Sequence, residues 1–140
     1  MEIFVDSDVI ISSLISKSGA AYMLLRTEAV VPIISSTSQK EIEIVQDRLQ
    51  INEDGFKELL QKRLKVISLP TSIGKIKEIF KKYVLDINDT HIISGAKEAK
   101  VRFLITYNLK DFKIERIRED FNIIVLTPGQ ILQYLRSLKL

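Results

Sequence analysis

The side chains in this sequence that can do chemistry are mostly carboxylates, and they stand at the ends of apolar runs. Asp6 follows the run Ile3 to Val5 directly, and Asp8 comes two residues later. Glu41 lies about one helical turn beyond the serine-rich stretch Ser35 to Ser38, which follows VVPIIS. Asp86 and Asp89 stand just before THIISGA, while Thr106, Asn108 and Asp111 lie at and after the end of FLITY. The sequence has no cysteine and a single histidine, His91. Disulfides, thiolate zinc sites and cysteine nucleophiles are therefore excluded.

Carboxylates gathered in one place raise each other's pKa and work against folding. A divalent cation resolves that conflict. Mg²⁺ and Mn²⁺ take hard oxygen ligands, typically a few carboxylates with water and substrate phosphate. Such an ion lowers the pKa of a bound water and offsets charge on a phosphoryl transition state, with no need of His or Cys. Each acid also has an ordinary reading. Asp6 could be a strand-end acid, Glu41 the capping-box partner of Ser38, and Asp89 a helix N-cap favoured by the dipole. His91 fits a surface or core position better than a metal ligand.

For the acids to meet, the elements must bring them to one edge. Ile3 to Val5 reads as a buried strand, and VVPIIS as a second, whose Pro32 implies an edge strand or a strand start. KVISLP, VRFLITY and NIIVLT read as the remaining strands. Between them lie segments with apolar residues at helical spacing. After Gly19 these are Ala21, Leu24 and Leu25; after the serines, Ile42, Val45 and Leu49; then Phe56, Leu59, Leu60 and Leu64. Ile73, Ile76, Ile79 and Phe80 form one face opposite lysines, Ile92, Ile93, Ala96 and Ala99 another, and Ile131, Leu132 and Leu135 follow Pro128 and Gly129. Strands alternating with helices predict an α/β fold, a central parallel sheet flanked by helices on both faces. In such sheets ligands bind beyond the carboxyl ends of the strands, where the acids stand.

A chain of 140 residues suits one domain, 1–140, and 46% hydrophobic with 28% charged residues is a globular balance. No apolar run approaches the roughly 18 residues that span a bilayer, and no leader pattern opens the chain, so no membrane partner and a cytoplasmic location are expected. A net charge of +3 with a pI near 9.1 permits nucleic-acid contact without requiring it. Neither G-x-G-x-x-G nor a Walker-type loop is present.

Four segments taken in order resemble the PIN-domain family. IFVDSDVIISSL is similar to its opening strand and Asp, ISSTSQKEIEIV to its Ser/Thr turn and helical Glu, and DINDTHIISGAKEAKVRFLITYNLKDF to its third and fourth motifs. NIIVLTPGQILQYL is similar to its closing strand, Thr-Pro and helix. The resemblance implies a three-layer sandwich and a Mg²⁺- or Mn²⁺-dependent ribonuclease, often the VapC-type toxin of a toxin–antitoxin pair. It implies an RNA substrate, an antitoxin partner and a homodimer. On it, Asp6, Glu41 and Asp89 match the acidic metal positions. Asn108 stands where many members carry a fourth Asp; it offers a carbonyl oxygen or orients a neighbour, and Asp111 is either a substitute acid or a turn acid. Asp8 replaces a usual Asn, and Asp86 and Thr106 are secondary candidates.

Two other readings use the same residues. FVDSDVI fits the Asp-x-Asp motif of haloacid-dehalogenase-like phosphatases, with Asp6 as nucleophile and Asp8 as acid/base, but that leaves Glu41 without a role. A degenerate PIN domain would bind RNA or protein without cleaving, with Lys75, Lys77, Lys81 and Lys82 as a basic face.

Overall fold

The computed structural model describes residues 1–51 and 53–138. Five strands, β1 (Glu2–Val5), β2 (Val31–Ser35), β3 (Lys65–Ile67), β4 (Phe103–Ile105) and β5 (Ile124–Leu126), form one sheet in the order β3-β2-β1-β4-β5. Every pairing is parallel. Eight α-helices accompany them among the described residues, seven between strands and one after β5: α1 (Ser7–Ile15), α2 (Ala20–Arg26), α3 (Ser36–Leu49), α4 (Glu53–Lys62), α5 (Ile73–Phe80), α6 (Thr90–Glu98), α7 (Ile114–Phe121) and α8 (Pro128–Ser137). The expected parallel sheet flanked by helices is the fold observed.

Side chains alternate along β1, and the alternation divides the core in two. Ile3 and Val5 join Val9, Leu24, Leu25, Ile42, Phe56 and Ile131 on one face. Phe4 joins Ile76, Phe80, Ile92, Ile93 and Ile117 on the other. The layers are therefore helix, sheet, helix. Gly95 is a place where the layers approach closely: a Cβ there would meet the Phe4 ring at 2.3 Å. Only hydrogen on that Cα lets α6 lie this near β1.

The chain runs outward from β1 to β2 and β3, then returns to the other side of β1 with β4 and β5. The order reverses between β1 and β4. A sheet of this kind opens a crevice at that switch point, beyond the carboxyl ends of the two strands.

Several local expectations change. Pro32 lies in an interior strand, paired with Ile3 near the start of β2, so the strand-start reading is the correct one. In α5 only Ile76 and Phe80 turn inward, whereas Ile73 and Ile79 are exposed, because the helix packs against α6 along a narrow stripe. In α3 Gln46 takes an inward position while Leu49 is exposed. The charge-rich run Ile114–Phe121 forms a further helix, α7, with apolar Ile114, Ile117 and Phe121 at helical spacing, Ile117 buried, and Asn122 closing it in the left-handed region at φ 55°. No single helix among the described residues is long and apolar enough to cross a membrane.

Candidate functional site at the carboxyl edge of the sheet

Asp6 follows β1 at the switch point. Its backbone N–H donates to the Ile105 carbonyl at 2.9 Å, which ties it to the end of β4. Its side chain makes no capping bond to α1, although it occupies the cap position. Instead the carboxylate turns toward β4, where the Thr106 hydroxyl donates to Oδ2 at 2.9 Å. The Ser7 hydroxyl stands 3.4 Å from Oδ1. Asp6 is buried, and no ion pair to it occurs among the described residues. Burial and the neighbouring Asp8 raise its pKa to about 6, against the opposing pull of Thr106.

Asp8 lies on the first turn of α1 and reaches the same corner. Its Oδ2 accepts from the Tyr107 backbone N–H at 3.1 Å and from Asn108 Nδ2 at 3.1 Å. The Thr106 hydroxyl is 3.4 Å from the same oxygen, so its single proton serves the shorter contact to Asp6. Asn108 in turn donates its backbone N–H to Thr106 Oγ1 at 3.1 Å. The other oxygen of Asp8, Oδ1, is buried with no hydrogen-bond partner among the described residues. Burial also raises the pKa of Asp8. Asn108 thus supplies an amide donor to Asp8 where a carboxylate would have repelled it.

Asp89 stands at the start of α6 and makes no side-chain capping bond. Asp86 makes a cap of its own, accepting from the Asn88 N–H at 2.9 Å and fixing the turn Ile87–Asp89. Burial raises the pKa of Asp89 to about 6, with Asp6, Asp86 and Asp111 adding repulsion. Asp111 ends the short turn Leu109–Asp111 after Asn108. Asp6, Asp8 and Asp89 therefore share one electrostatic neighbourhood, with Asp86 and Asp111 acting on it through Asp89.

Glu41 does not form a capping box with Ser38. The cap of α3 is Ser35, whose hydroxyl accepts from the Ser38 N–H at 3.0 Å. Thr127 and Gln130 make a genuine reciprocal box, at the start of α8. The Glu41 carboxylate instead lies 3.1 Å from Nε2 of His91, on the first turn of α6. That contact is absent from the sequence reading.

The donor set fits a hard cation such as Mg²⁺ or Mn²⁺. It consists of carboxylate oxygens, with Oδ1 of Asp8 beside them buried and unpartnered among the described residues, and no thiolate is present. Among the described residues, no three acidic or histidine groups are drawn closely enough together to enclose an ion with the side chains as they stand. Burial first, and repulsion from neighbouring acids after it, hold the pKa values of Asp6 and Asp89 raised in this arrangement.

The family model described as PIN domain matches residues 2–110. No curated protein matches the chain. Among solved structures, VapBC2 from Rickettsia felis bound to a DNA fragment from its promoter is similar at a TM-score of 0.66 and 19% identity, covering 91% of this chain and 98% of that one. A toxin–antitoxin complex from Klebsiella pneumoniae gives 0.65 and 19%, covering 90% and 97%. FitAcB from Neisseria gonorrhoeae gives 0.58 and 15%, covering 91% and 98%.

Proposed function

The chain belongs to the PIN-domain family, and from that premise we propose that it is a metal-dependent endoribonuclease, the toxin member of a toxin–antitoxin pair. The observation that carries this reading is Asp6, a buried acid with no cationic partner among the described residues, at the switch point of the sheet, held by Thr106 and flanked by Asp8 and Asp89. A buried charge left in that state is costly unless a ligand compensates it. We assign Asp6, Glu41 and Asp89 as ligands of Mg²⁺ or Mn²⁺, directly or through water, with Asn108 in a supporting place. Asp111 and Asp86 add negative charge at the rim.

When bound, the cation would activate a water and offset charge on the scissile phosphate. The protein's own residues provide the geometry. Thr106 fixes the carboxylate of Asp6. Asn108 and the Tyr107 N–H fix Asp8, which then does not rotate into Asp6. The N-terminus of α6 faces the same corner and favours an anion there, which suits a phosphate as well as the acids. The phosphatase reading asks Asp8 to be a free acid/base, and its Oδ2 is already engaged.

An antitoxin partner is part of the same proposal, supported by a similar solved structure that is a toxin–antitoxin complex; a homodimer is proposed with it. One specific observation favours a second reading, a PIN domain that binds RNA without cleaving it: Asn108 brings no charge and turns its amide toward Asp8.

The test is cleavage of labelled unstructured RNA over a Mn²⁺ titration, with Asp6→Asn alongside. Cleavage by the wild type alone, abolished by chelator and by the substitution, is the expected result. Full activity in Asp6→Asn or in excess chelator would sink the reading. Tight RNA binding by an inert wild type would select the second one.

A further inference from the structure

His91 is buried on the first turn of α6, while Glu41 reaches it from α3 with a side chain that is 48% exposed. A glutamate that exposed loses considerable rotamer freedom when it is held in one place. Here an almost immobile ring holds it, through an Nε2 to Oε1 distance of 3.1 Å. The second ring nitrogen, Nδ1, is enclosed by protein and has no hydrogen-bond partner among the described residues. A proton on Nδ1 would be a buried donor with nothing to accept it, which is costly. The arrangement therefore favours the tautomer with the proton on Nε2, donating to Glu41.

That geometry also excludes two simpler roles. His91 is not itself poised as a ligand, since Nε2 is committed to Glu41 and Nδ1 is closed off. Nor is it merely filling space, because Ile92 and Ile93 on the same turn already pack the core. A polar ring buried there has to be compensated by its bond to Glu41.

We propose that His91 is a positioning residue: its Nε2–H bond to Glu41 sets that carboxylate in place as a ligand beside Asp6 and Asp89. The proposal rests on the metal-nuclease reading above. The hydrogen bond leaves the second carboxylate oxygen of Glu41 unassigned and able to turn to a cation or its water. Groups that orient a metal ligand in this way commonly change metal affinity or activity by about 10- to 100-fold when removed.

The experiment compares wild type with His91→Leu, His91→Gln and His91→Asn, alone and combined with Glu41→Gln. Gln can place an amide donor near the original Nε2; Asn is too short to do so. Three quantities are measured: ¹⁵N shifts of the His91 ring in metal-free protein, Mn²⁺ affinity by calorimetry, and kcat and KM on RNA. The expected results are an Nε2–H tautomer whose shift responds to Glu41→Gln, and a loss of about tenfold or more in Mn²⁺ affinity for Leu and Asn. The loss should fall on kcat with KM held, be largely recovered by Gln, and not add to that of Glu41→Gln. Should Leu fail to fold, as judged by circular dichroism, the Gln and Asn pair carries the comparison. Wild-type Mn²⁺ affinity in the folded Leu or Asn variant, or fully additive losses, would overturn the role of His91 and leave the nuclease reading standing. Absence of Mn²⁺ binding by wild type would overturn that underlying reading, and the proposal with it. A ring shift indifferent to Glu41→Gln would overturn the pair even then.

Discussion

The hydroxyl of Thr106 stands 2.9 Å from Oδ2 of Asp6, joining the carboxyl ends of β4 and β1 across 100 residues of sequence. It pulls against burial and against Asp8, both of which push the Asp6 pKa upward. Thr106→Val keeps the shape and removes the donor. The Asp6 carboxyl should then titrate above its present value of about 6, and Mn²⁺ affinity at neutral pH should fall by roughly tenfold, as for other groups that orient a metal ligand. Carbon-detected titration of Asp6 and calorimetry read the two effects. An unchanged titration in Thr106→Val would show that the hydroxyl does not support the charge.

Asn108→Asp tests the departure from the family pattern. Sequence reasoning alone expects this change to restore a missing charge and to keep or raise activity. In the structure the Asn108 amide donates to Asp8 at 3.1 Å, and a carboxylate there would face another carboxylate. Metal-free Asn108→Asp should melt several degrees lower than wild type. Its gain in Tm on adding Mn²⁺ should be larger, because the ion then relieves one more repulsion. Equal melting of the two metal-free proteins would mean that the Asn108 contact contributes little.

Much of this was legible in the sequence for identifiable reasons. Apolar runs of strand length ended at Asp6 and Thr106, and chain order alone brings such ends to one edge of a parallel sheet. Other features were hidden because they depend on packing between distant elements. The Glu41–His91 contact joins α3 to α6, and spacing carries no trace of it. Ser38 and Glu41 had the spacing of a capping box, but α3 begins earlier, at Ser36, so Ser35 became the cap. Ile73 and Ile79 looked like core residues because period alone cannot tell a narrow buried stripe from a wide one. Ile114–Phe121 is short and charged, yet Ile114, Ile117 and Phe121 recur at helical spacing and pack on the core, a pattern that was present in the sequence.

Gly95 ties the site to the core. A methyl group there would sit 2.3 Å from the Phe4 ring, which is itself fully buried between α6 and the sheet. Relief requires α6 to shift away from β1, and α6 carries His91 and begins just after Asp89. Gly95→Ala should therefore destabilise the protein by about 1 to 3 kcal/mol, the usual cost of overpacking a core. It should also weaken Mn²⁺ binding although no ligand is altered. Chemical denaturation and calorimetry measure the two losses. A stability loss with full Mn²⁺ affinity would mean that the helix absorbs the strain without moving its first turn.

The acids also set the response to pH. In the folded protein Asp6 and Asp89 have pKa values near 6, against 3.8 for the free side chain. The folded state therefore binds protons more tightly than the unfolded state. Their contribution to stability is fully present below 3.8 and is lost as pH rises through about 6. For buried Asp6 the effect is on the order of 2 to 3 kcal/mol; half-buried Asp89 contributes less, because solvent screens it. Metal-free protein should gain Tm on going from pH 7.5 to about pH 5 through these groups, a direction opposite to that of paired carboxylates. Mn²⁺ should raise Tm strongly at pH 7.5 and weakly near pH 5, where protons compete for the same oxygens. Asp6→Asn should flatten the metal-free profile and hold at pH 7.5 much of the stability that wild type reaches only on acidification. A wild-type Tm that falls steadily from pH 7.5 to pH 5 without metal, with Asp6→Asn following the same curve, would show that Asp6 is already compensated within the fold and has no need of a cation.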